Sequence, residues 1–382
     1  MSRRPTLLML APYDETSAST RFRMLALVPY LRERGVDVQV SPFLDLRQAR
    51  DFYDRGNGGR KVAALLRGAL RQLMTAAARA DAVFVQREAA LLGPPIVEWL
   101  LGVARRLPLF LDIDDAVWLD ASRSSRYPRL SRLLRNPEKS WFLMKRAIAI
   151  FSGSHHLART AARVNPNVTV APSVVSRTEW TPQRKRQDPR RLVMGWVGTH
   201  TTALQLELVS SALRRLRSER HEFDLRIVGA GGGFELPGAG AEMRPWTMER
   251  DVADFQDLDI GLAPMWDDEW GAGKCAFKQI QYMAVGVPFV SSFVGAAREI
   301  VVDGQNGLVA TTADDWYRHL RELLVNHDLR TRLAANGRAH VERELCIEVQ
   351  GPRLADIIAD AVKRQSTDRS GGRECDEVRA AQ

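Results

Sequence analysis

The sequence has little cysteine, little lysine and no long apolar run, and each shortage excludes a class of protein. Only Cys275, Cys346 and Cys375 occur in 382 residues. Because their number is odd and no C-x-x-C spacing is present, a disulfide-stapled scaffold is excluded, a zinc or redox site is disfavoured, and a reducing compartment is expected. The longest apolar stretches, such as 147–151 and 260–264, are far shorter than the ~20 residues of a membrane span.

The first residues carry no export signal. Residues 1–12 contain two arginines and a short apolar run, but no small-residue cleavage signature follows. We therefore predict a cytoplasmic protein. With 45% hydrophobic and 26% charged residues, the composition is that of an ordinary globular chain, and its length predicts two or three domains, each with a core of its own.

Charge is distributed unevenly along the chain. Residues 1–172 carry 27 basic and 15 acidic side chains, a net charge of +12, whereas residues 173–382 carry 28 basic and 31 acidic side chains, a net charge of −3. The basic half favours an anionic membrane face, an anionic substrate or nucleic acid, and the alternative is a solvated arginine-rich surface. Only seven of the 55 basic residues are lysines, so the position of each lysine is informative.

Short apolar runs alternate with amphipathic segments, which predicts an α/β fold with parallel sheets. The predicted strands are 6–11, 36–40, 82–86, 108–113, 147–152 and 168–171 and, in the second half, 192–197, 225–228, 259–263 and 288–292. The predicted helices are 21–34, 61–80, 95–106, 154–163, 204–217, 277–285, 313–324, 327–344 and 349–363.

The alternation is interrupted once, by a polar and basic segment at 173–191 that has no apolar periodicity. We therefore predict two facing Rossmann-like domains, 1–172 and 192–348, joined by this linker and followed by a helix at 349–365 and a disordered tail at 366–382. Ligands of open α/β sheets bind beyond the carboxyl ends of the strands, so the candidate site residues are sought there.

The most informative segment is 271–288, where a glycine turn leads into a predicted helix that ends at Gly286. Lys274 and Lys278 lie four residues apart in the first turns, so they would share one helix face. The amides and partial positive charge of a helix start, together with two ammonium groups, form a site for a diphosphate. The alternative is two solvated lysines, but the helix dipole disfavours cations there unless an anion compensates them.

The run QYMAVGVPFV at 281–290 is followed by Gly295, by REIV at 298–301 and by NGLV at 306–309. This pattern resembles the nucleotide-sugar half of GT-B glycosyltransferases, and among them family four, the retaining group of bacterial polysaccharide, glycolipid and natural-product transferases. Weaker similarity near 19–38, 152–154 and 195–198 extends the resemblance over most of the chain.

The resemblance implies the transfer of a sugar from a nucleoside diphosphate sugar, with retention of configuration and without a metal or any other cofactor. It implies that the helix at 349–365 returns to the first domain. That domain would bind a glycan, lipid-linked or natural-product acceptor, and its net charge of +12 favours peripheral contact with an anionic inner membrane face. Nucleic acid is not expected as a partner, because the basic half has no recognisable binding module. A nucleotide-sugar epimerase and a degenerate, non-catalytic protein that binds nucleotide sugar or a partner are the alternatives.

The chain departs from the family at its two glutamates, which flank seven residues and address the donor sugar and the nucleotide ribose. Gly273 and Gln281 stand in their places. Gln281 can still exchange hydrogen bonds with ribose hydroxyls. The sugar contact falls to the backbone amide of Gly273, to Asp268 or to Glu269, and these three stay open.

Three further donor positions follow from the resemblance. After the first strand of the second half, Gly198 and Thr199 occupy the loop in which the family carries Arg and Lys, so Lys274 and Lys278 would hold the diphosphate instead. Glu299 follows the Gly295 loop, where the family places a carboxylate near the donor, and a capping or salt-bridge role is the alternative.

In the first half, three carboxylates end a strand. Alternation places Asp112 and Asp114 on one face and Asp115 at the start of the loop. Such a cluster can bind a metal, orient an acceptor hydroxyl or act as a base, and the alternative is a cap with structural ion pairs. The family often carries a His-Asp pair here, so we predict Asp114 or Asp115 as the catalytic, acceptor-orienting group.

Two other strand ends of the first half supply candidate donor or acceptor contacts. Thr20, Arg21 and Arg23 follow the first strand, where the family often has glycines near the phosphates, and Arg87 closes another strand. For the arginines the alternative is an ordinary solvated position.

Overall fold

The computed structural model describes residues 3–53, 58–91, 93–119, 136–183 and 191–380. The chain divides into two compact units: unit 1 is Met1–Ser173 with Gly351–Gln382, and unit 2 is Val174–Gln350. Each unit contains one sheet of six strands, and every strand pairing in both sheets is parallel. The predicted α/β class with two Rossmann-like domains is therefore confirmed.

The sheet of unit 1 has the order β2-β1-β3-β4-β5-β6. Its strands are β1 (Thr6–Tyr13), β2 (Asp37–Leu44), β3 (Ala82–Gln86), β4 (Leu109–Ile113), β5 (Ala149–Ser152) and β6 (Val168–Val170). The central strands β1, β3 and β4 are buried almost throughout, as parallel strands covered on both faces must be. Their carboxyl ends lie side by side, since Gln86 is in register with Asp112.

The helices of unit 1 include several short ones. They are α1 (Val28–Glu33), α2 (Leu46–Tyr53), α3 (Gly58–Ala77), α4 (Ile96–Trp99), α5 (Lys139–Arg146) and α6 (His155–Ala161). The predicted helix at 21–34 is divided into a π-helical turn (Thr20–Met24), a 3₁₀ turn (Leu25–Leu27) and α1. Pro29 lies in the first turn of α1, where its missing N–H is tolerated, and it cannot continue a regular helix from upstream.

The sheet of unit 2 has the order β12-β11-β10-β7-β8-β9. Its strands are β7 (Leu192–Val197), β8 (Phe223–Val228), β9 (Ala241–Arg244), β10 (Ile260–Ala263), β11 (Phe289–Ser292) and β12 (Leu308–Ala310). Sequence patterns did not predict β9 or β12. The edge strand β9 is mostly exposed and polar, and β12 has three residues, so neither carries a periodic apolar signal.

The helices of unit 2 cover both faces of this sheet. They are α7 (His200–Ala203), α8 (Glu207–Ser218), α9 (Asp251–Gln256), α10 (Glu269–Ala272), α11 (Phe277–Ala284), α12 (Ala297–Ile300), α13 (Ala313–Val325) and α14 (His327–Glu344). The first residues of the predicted linker pack against unit 2. The Ile347 amide donates to the Val175 carbonyl at 2.9 Å, and the Trp180 ring lies edge-on to the Phe255 ring, with 5.4 Å between their centres. Residues 184–190 of that linker lie outside the described residues.

The last helix, α15 (Ile347–Ala380), contributes residues from Gly351 onward to unit 1. Asp356 accepts a hydrogen bond from Arg34, and Gly351 lies where a Cβ would be 2.7 Å from the ring of Tyr30. The helix continues through 366–380, for which the sequence predicts disorder. No helix among the described residues is long and apolar enough to cross a membrane.

Candidate functional site

The candidate donor site of unit 2 begins at the carboxyl end of β7. Gly198 follows this strand, and a Cβ there would be 2.3 Å from the Trp196 ring and 3.0 Å from Lys278 Cε. A side chain at position 198 would therefore collide with the Trp196 ring, and Lys278 Cε lies next to the same position. The next residue, Thr199, is exposed, and its amide donates to Thr202 Oγ1 at 3.4 Å at the start of α7.

Lys274 and Lys278 lie close together, each beside an indole ring. Lys274 Nζ is 3.7 Å from the centre of the Trp270 ring, and Lys278 Nζ is 5.3 Å from that of Trp196. Burial and the neighbouring charge of Lys274 together lower the pKa of Lys278 to about 8. The structure thus brings the two predicted diphosphate ligands together.

The prediction that both lysines lie on one helix is corrected by the structure. Ala276 has a φ of +51°, a left-handed conformation that is unfavourable for a residue with a Cβ, and α11 begins only after it. Lys274 precedes this break, in the turn after α10, where its amide donates to the Gly271 carbonyl at 3.0 Å. The lysines meet because the turn folds back and not because they are four residues apart on a helix.

The turn that carries Lys274 is packed against the loop after β11. Gly295 has a φ of +58°, and a Cβ at this position would be 2.6 Å from the Gly271 carbonyl oxygen and 2.8 Å from that of Lys274. The Ala296 amide donates to the same Lys274 carbonyl at 3.1 Å. Two loops at the carboxyl edge of the sheet are therefore held together by backbone contacts.

The acidic candidates of this region occupy different environments. Asp268 caps α10 by accepting from the Gly271 amide at 2.6 Å, so its carboxylate already has a structural partner. Glu269 is exposed in the first turn of α10, and Glu299 is exposed on α12. The Gly273 amide ends α10 by donating to the Trp270 carbonyl at 3.1 Å, so of the three positions left open for the donor sugar only Glu269 has no capping role in the structure.

Helix α11 is anchored firmly to the sheet. Tyr282 donates its hydroxyl to the carbonyls of Gly195 (3.2 Å) and Leu262 (3.1 Å), and Gln279 donates to Ser291 Oγ at 2.8 Å. Gln281, the predicted ribose ligand, is 6% exposed on the same helix. Its position is fixed by neighbours that are bonded to three different strands.

Sequence reasoning missed Trp246. This residue follows β9, and its Cβ is 3.2 Å from where a Cβ on Gly229 would stand, while its indole Nε1 donates to Asp251 at 3.0 Å. Gly229 in turn lies against Gly198, since a Cβ on Gly229 would be 2.1 Å from the Gly198 carbonyl oxygen. Trp246 therefore lies beside Gly229, which contacts the Gly198 loop, but β9 gave no strand signal that would have placed it there.

In unit 1 the predicted catalytic carboxylate Asp114 is fully engaged. Arg87 Nε donates to Asp114 Oδ1 at 2.5 Å and Arg87 Nη2 to Oδ2 at 3.0 Å, while Ser19 Oγ donates to Oδ2 at 2.5 Å. Burial favours the neutral acid, but the charge and hydrogen bonds of Arg87 outweigh it and hold the pKa of Asp114 well below its usual range. A carboxylate with so low a pKa is a weak base.

Arg87 itself is held in an unusual conformation. Its φ is +54°, in the left-handed region, although it is not a glycine. Its amide donates to the Asp112 carbonyl at 2.7 Å, and its Nη2 donates to Ser19 Oγ at 2.7 Å. Strain of this kind often lies at functional sites, so it supports Arg87 as a site residue.

The neighbouring pair of Arg23 and Asp112 is buried deeper. Arg23 donates from Nε at 2.9 Å and from Nη2 at 2.6 Å to the two oxygens of Asp112, and its Nη1 donates to the Ala171 carbonyl at 2.8 Å. Burial raises the pKa of Asp112, although the charge of Arg23 opposes the shift. Arg23 thus has internal partners at each of its three nitrogens.

The other candidates lie around these pairs. Thr20 is buried and donates to the Tyr13 carbonyl at 3.1 Å, whereas Arg21 lies over the ring of Phe22 and donates to the Glu15 carbonyl at 2.9 Å. Asp115 is half-buried at the start of the loop, and its Oδ1 accepts the Ala116 amide at 2.9 Å. Of the two predicted catalytic carboxylates, Asp115 is the more accessible.

Unit 2 also contains an open cavity of about 460 Å³ at the carboxyl ends of β10, β11 and β12. Its lining includes Met265, Ser292, Arg298, Thr311 and Trp316. Arg298 donates to Asp267 there at 3.2 Å. Among the described residues, no group of three or more His, Cys, Asp or Glu side chains is arranged to hold a metal ion.

Known structures with a similar fold support this description. Sucrose-phosphate synthase from Thermosynechococcus elongatus superposes with a TM-score of 0.69 at 12% identity, over 95% of this chain and 100% of that one. HepE from Anabaena, solved with UDP-glucose, superposes with a TM-score of 0.63 at 13% identity, over 93% and 99%. Two Rossmann-like units, each with a sheet of parallel strands, are characteristic of the GT-B fold.

The sequence comparisons concern mainly unit 2. Residues 191–326 match the family model described as Glycosyl transferases group 1, so the sequence similarity to this family lies in unit 2. D-inositol 3-phosphate glycosyltransferase of Xylanimonas cellulosilytica is 27% identical over 160 residues, which is 37% of this chain and 37% of that relative. The predicted resemblance to GT-B glycosyltransferases is confirmed at the level of group 1.

Proposed function

We propose that this protein is an enzyme that transfers a sugar from a nucleoside diphosphate sugar to an acceptor, with retention of configuration. The observation that carries the proposal is the pairing of Lys274 and Lys278 beside the start of α11. Burial, together with repulsion from the neighbouring ammonium group of Lys274, lowers the pKa of Lys278 to about 8. A bound diphosphate would neutralise both groups, so the site favours this ligand.

The same residues fit the chemistry of the transfer. When the bond between the sugar and the diphosphate breaks, negative charge develops on the leaving group, and ammonium groups already in position stabilise it without reorganising. Gln281 would exchange hydrogen bonds with the ribose, and the indole of Trp246 offers a flat surface for the base. Glu269 would address the donor sugar, because the Asp268 carboxylate and the Gly273 amide each have a hydrogen-bond partner within the turn.

On the acceptor side, we assign the orienting role to Asp115. The Asp114 carboxylate is bound by Arg87 and Ser19, so it would act by positioning these groups. Asp115→Asn should lower the transfer rate about tenfold or more and leave donor affinity unchanged, since an amide keeps the shape but loses the charge. A parallel loss of donor affinity would assign Asp115 to the donor or to the structure of the strand end.

The donor class and acceptor class are proposed more broadly. HepE, which shares the fold, was solved with UDP-glucose, and this supports a nucleoside diphosphate sugar as donor. A glycan, a lipid-linked sugar and a natural product are the acceptor classes, with the protein cytoplasmic and peripheral at the inner membrane face. No metal and no cofactor besides the donor is part of the proposal.

The proposal can be tested in two stages. First, the melting temperature is measured with UDP, GDP, ADP, CDP and TDP and their common sugars, because a ligand at 100 times its dissociation constant stabilises the native state by about 2.7 kcal/mol. One nucleotide should produce a selective shift. Second, release of that nucleotide from its sugar is followed, and NMR of the product determines the anomeric configuration.

The second stage separates the alternatives. An inverted product contradicts retention. Binding without release of nucleotide, with or without a panel of acceptors, supports the non-catalytic alternative, which the replacement of the family glutamates by Gly273 and Gln281 keeps open. A changed sugar that stays attached to its nucleotide indicates the epimerase.

A further inference from the structure

Helix α3 of unit 1 presents its large apolar side chains outward. The face that packs inward consists of Ala64, Gly68, Gln72 and Ala76, all buried. A Cβ at Gly68 would be 2.3 Å from the Phe43 carbonyl oxygen, so the helix lies directly on the end of β2. Small residues thus make the contact with the sheet.

The outer face of α3 is an apolar stripe. Leu66 is 66% exposed, Leu70 is 59% exposed and Met74 is 68% exposed, and these positions follow each other at intervals of four. Val62 and Leu73 are exposed on the same side of the helix. An amphipathic helix of a globular protein normally has the opposite arrangement, with its large apolar residues inside.

Basic residues accompany this stripe. Between Gly58 and Ala77 the chain has Arg60, Lys61, Arg67 and Arg71, and it has no acidic residue. Arg60 and Arg67 are exposed. Helix α4, which contacts α3, exposes Ile96 and Trp99, and indole rings favour the boundary between water and lipid headgroups.

The charge decides between two occupants of such a surface. A second copy of the chain would meet the stripe through a two-fold axis, which places α3 against α3. Arg71 is paired with Asp45 of its own chain, but Arg60, Lys61 and Arg67 of the two copies would bring six positive charges together without a compensating carboxylate from either helix. An anionic bilayer offers the opposite charge and takes up the apolar side chains as well. To bind the membrane in this way, the helix needs to enter the bilayer only as far as the lipid headgroups.

We infer that α3, with the adjoining Ile96 and Trp99, is the surface by which this protein binds an anionic membrane. The leucines and Met74 enter the headgroup region, and the arginines contact lipid phosphates. The inference names the surface for the peripheral contact and does not depend on sugar transfer, because donor binding belongs to unit 2. It can therefore fail while the proposed function stands, and the reverse also holds.

The test is co-sedimentation of the full chain with vesicles. Vesicles of phosphatidylcholine with 30% phosphatidylglycerol should bind the protein at about 0.1 M salt, and pure phosphatidylcholine should bind it at least tenfold more weakly. Leu66→Gln with Leu70→Gln should reduce binding to the anionic vesicles tenfold or more, because burial of both side chains is lost. Arg60→Gln with Arg67→Gln should reduce it about tenfold.

A matched control pair is available in unit 2. Leu204 is 51% exposed and Val325 is 64% exposed, and Leu204→Gln with Val325→Gln should leave vesicle binding unchanged. All pairs replace exposed residues, so equal melting temperatures verify that each variant is folded. In addition, amides of 58–77 should exchange more slowly with vesicles present.

Three results would overturn the inference. The first is that the wild-type chain fails to bind anionic vesicles. The second is that the α3 variants bind as well as wild type, and the third is that the control variant loses as much binding as the leucine variant. A wild-type dimer that the leucine pair converts to monomer, with no vesicle binding by either, would assign the stripe to a second copy of the chain.

Discussion

The two units gather charge at the carboxyl ends of their sheets in opposite ways. In unit 1 the carboxylates of Asp112 and Asp114 are buried and each is bound by an arginine, of which Arg23 is buried and Arg87 is 25% exposed. In unit 2 two lysines adjoin each other, and burial and repulsion lower the pKa of Lys278 to about 8. One cluster pairs opposite charges within the protein, and the other brings two like charges together.

The difference separates structural charge from ligand-binding charge. A buried ion pair with good geometry fixes the position of a strand end, but its charges and hydrogen bonds are already used and bind a ligand only weakly. Like charges held together raise the free energy of the unliganded protein, and a bound anion releases that free energy. We therefore expect substitutions in unit 1 to change stability first, and substitutions at the lysines to change ligand affinity first.

The largest effect is expected from breaking the buried pair of unit 1. Arg23→Ala leaves Asp112 buried without its partner and should lower the free energy of unfolding by about 3–5 kcal/mol. Arg3→Ala is the matched control, because Arg3 is 42% exposed where it pairs with Asp81, and it should cost no more than about 1 kcal/mol. Urea denaturation of both variants measures the difference, and similar midpoints would contradict it.

The next effect concerns affinity. Lys274→Ala with Lys278→Ala should weaken binding of the preferred nucleoside diphosphate about 100-fold or more, because two charge-assisted contacts are lost. Isothermal titration calorimetry measures the affinity. Lys363→Ala, at an exposed lysine of α15, is the control and should leave it unchanged. An unaltered affinity in the double variant would remove the lysines from the site, and a lower melting temperature without ligand would make them structural.

The smallest effect is a pH dependence of the same affinity. Because the pKa of Lys278 is about 8 in the unliganded protein, its charged fraction decreases as the pH rises, and affinity should decrease roughly tenfold between pH 7 and pH 9. Lys278→Arg keeps its charge throughout this range, so its affinity should stay nearly constant. The measurement is titration calorimetry at pH 7, 8 and 9, and equal slopes for both proteins would assign the titration to another group.

Much of the fold could be predicted because the buried strands are apolar. Strands β3 and β7 begin and end at the predicted residues, since each is a continuous apolar run between polar segments. The edge strand β9 could not be predicted, because a strand that is exposed and polar is stabilised by its neighbour β8 and not by its own pattern.

The candidate site was predictable in composition but not in geometry. Lys274 and Lys278 were identified because lysine is rare in this chain, but the left-handed conformation of Ala276 between them has no local sequence signal, since alanine normally avoids it. The pairing of Arg87 with Asp114 joins residues 27 positions apart, each just after one of two neighbouring strands. Alternation along one strand predicts which face a carboxylate occupies and leaves its partner undetermined.

The close approach of Gly295 to the turn at 271–274 has a consequence for the thermodynamics of binding. Since the carbonyls of Gly271, Ala272 and Lys274 all lie within 3.2 Å of the Cβ position of Gly295, the turn has few backbone conformations left to lose when a ligand arrives. The entropy of ordering this turn is spent during folding, so nucleotide association should proceed without a slow loop-closing step in unit 2.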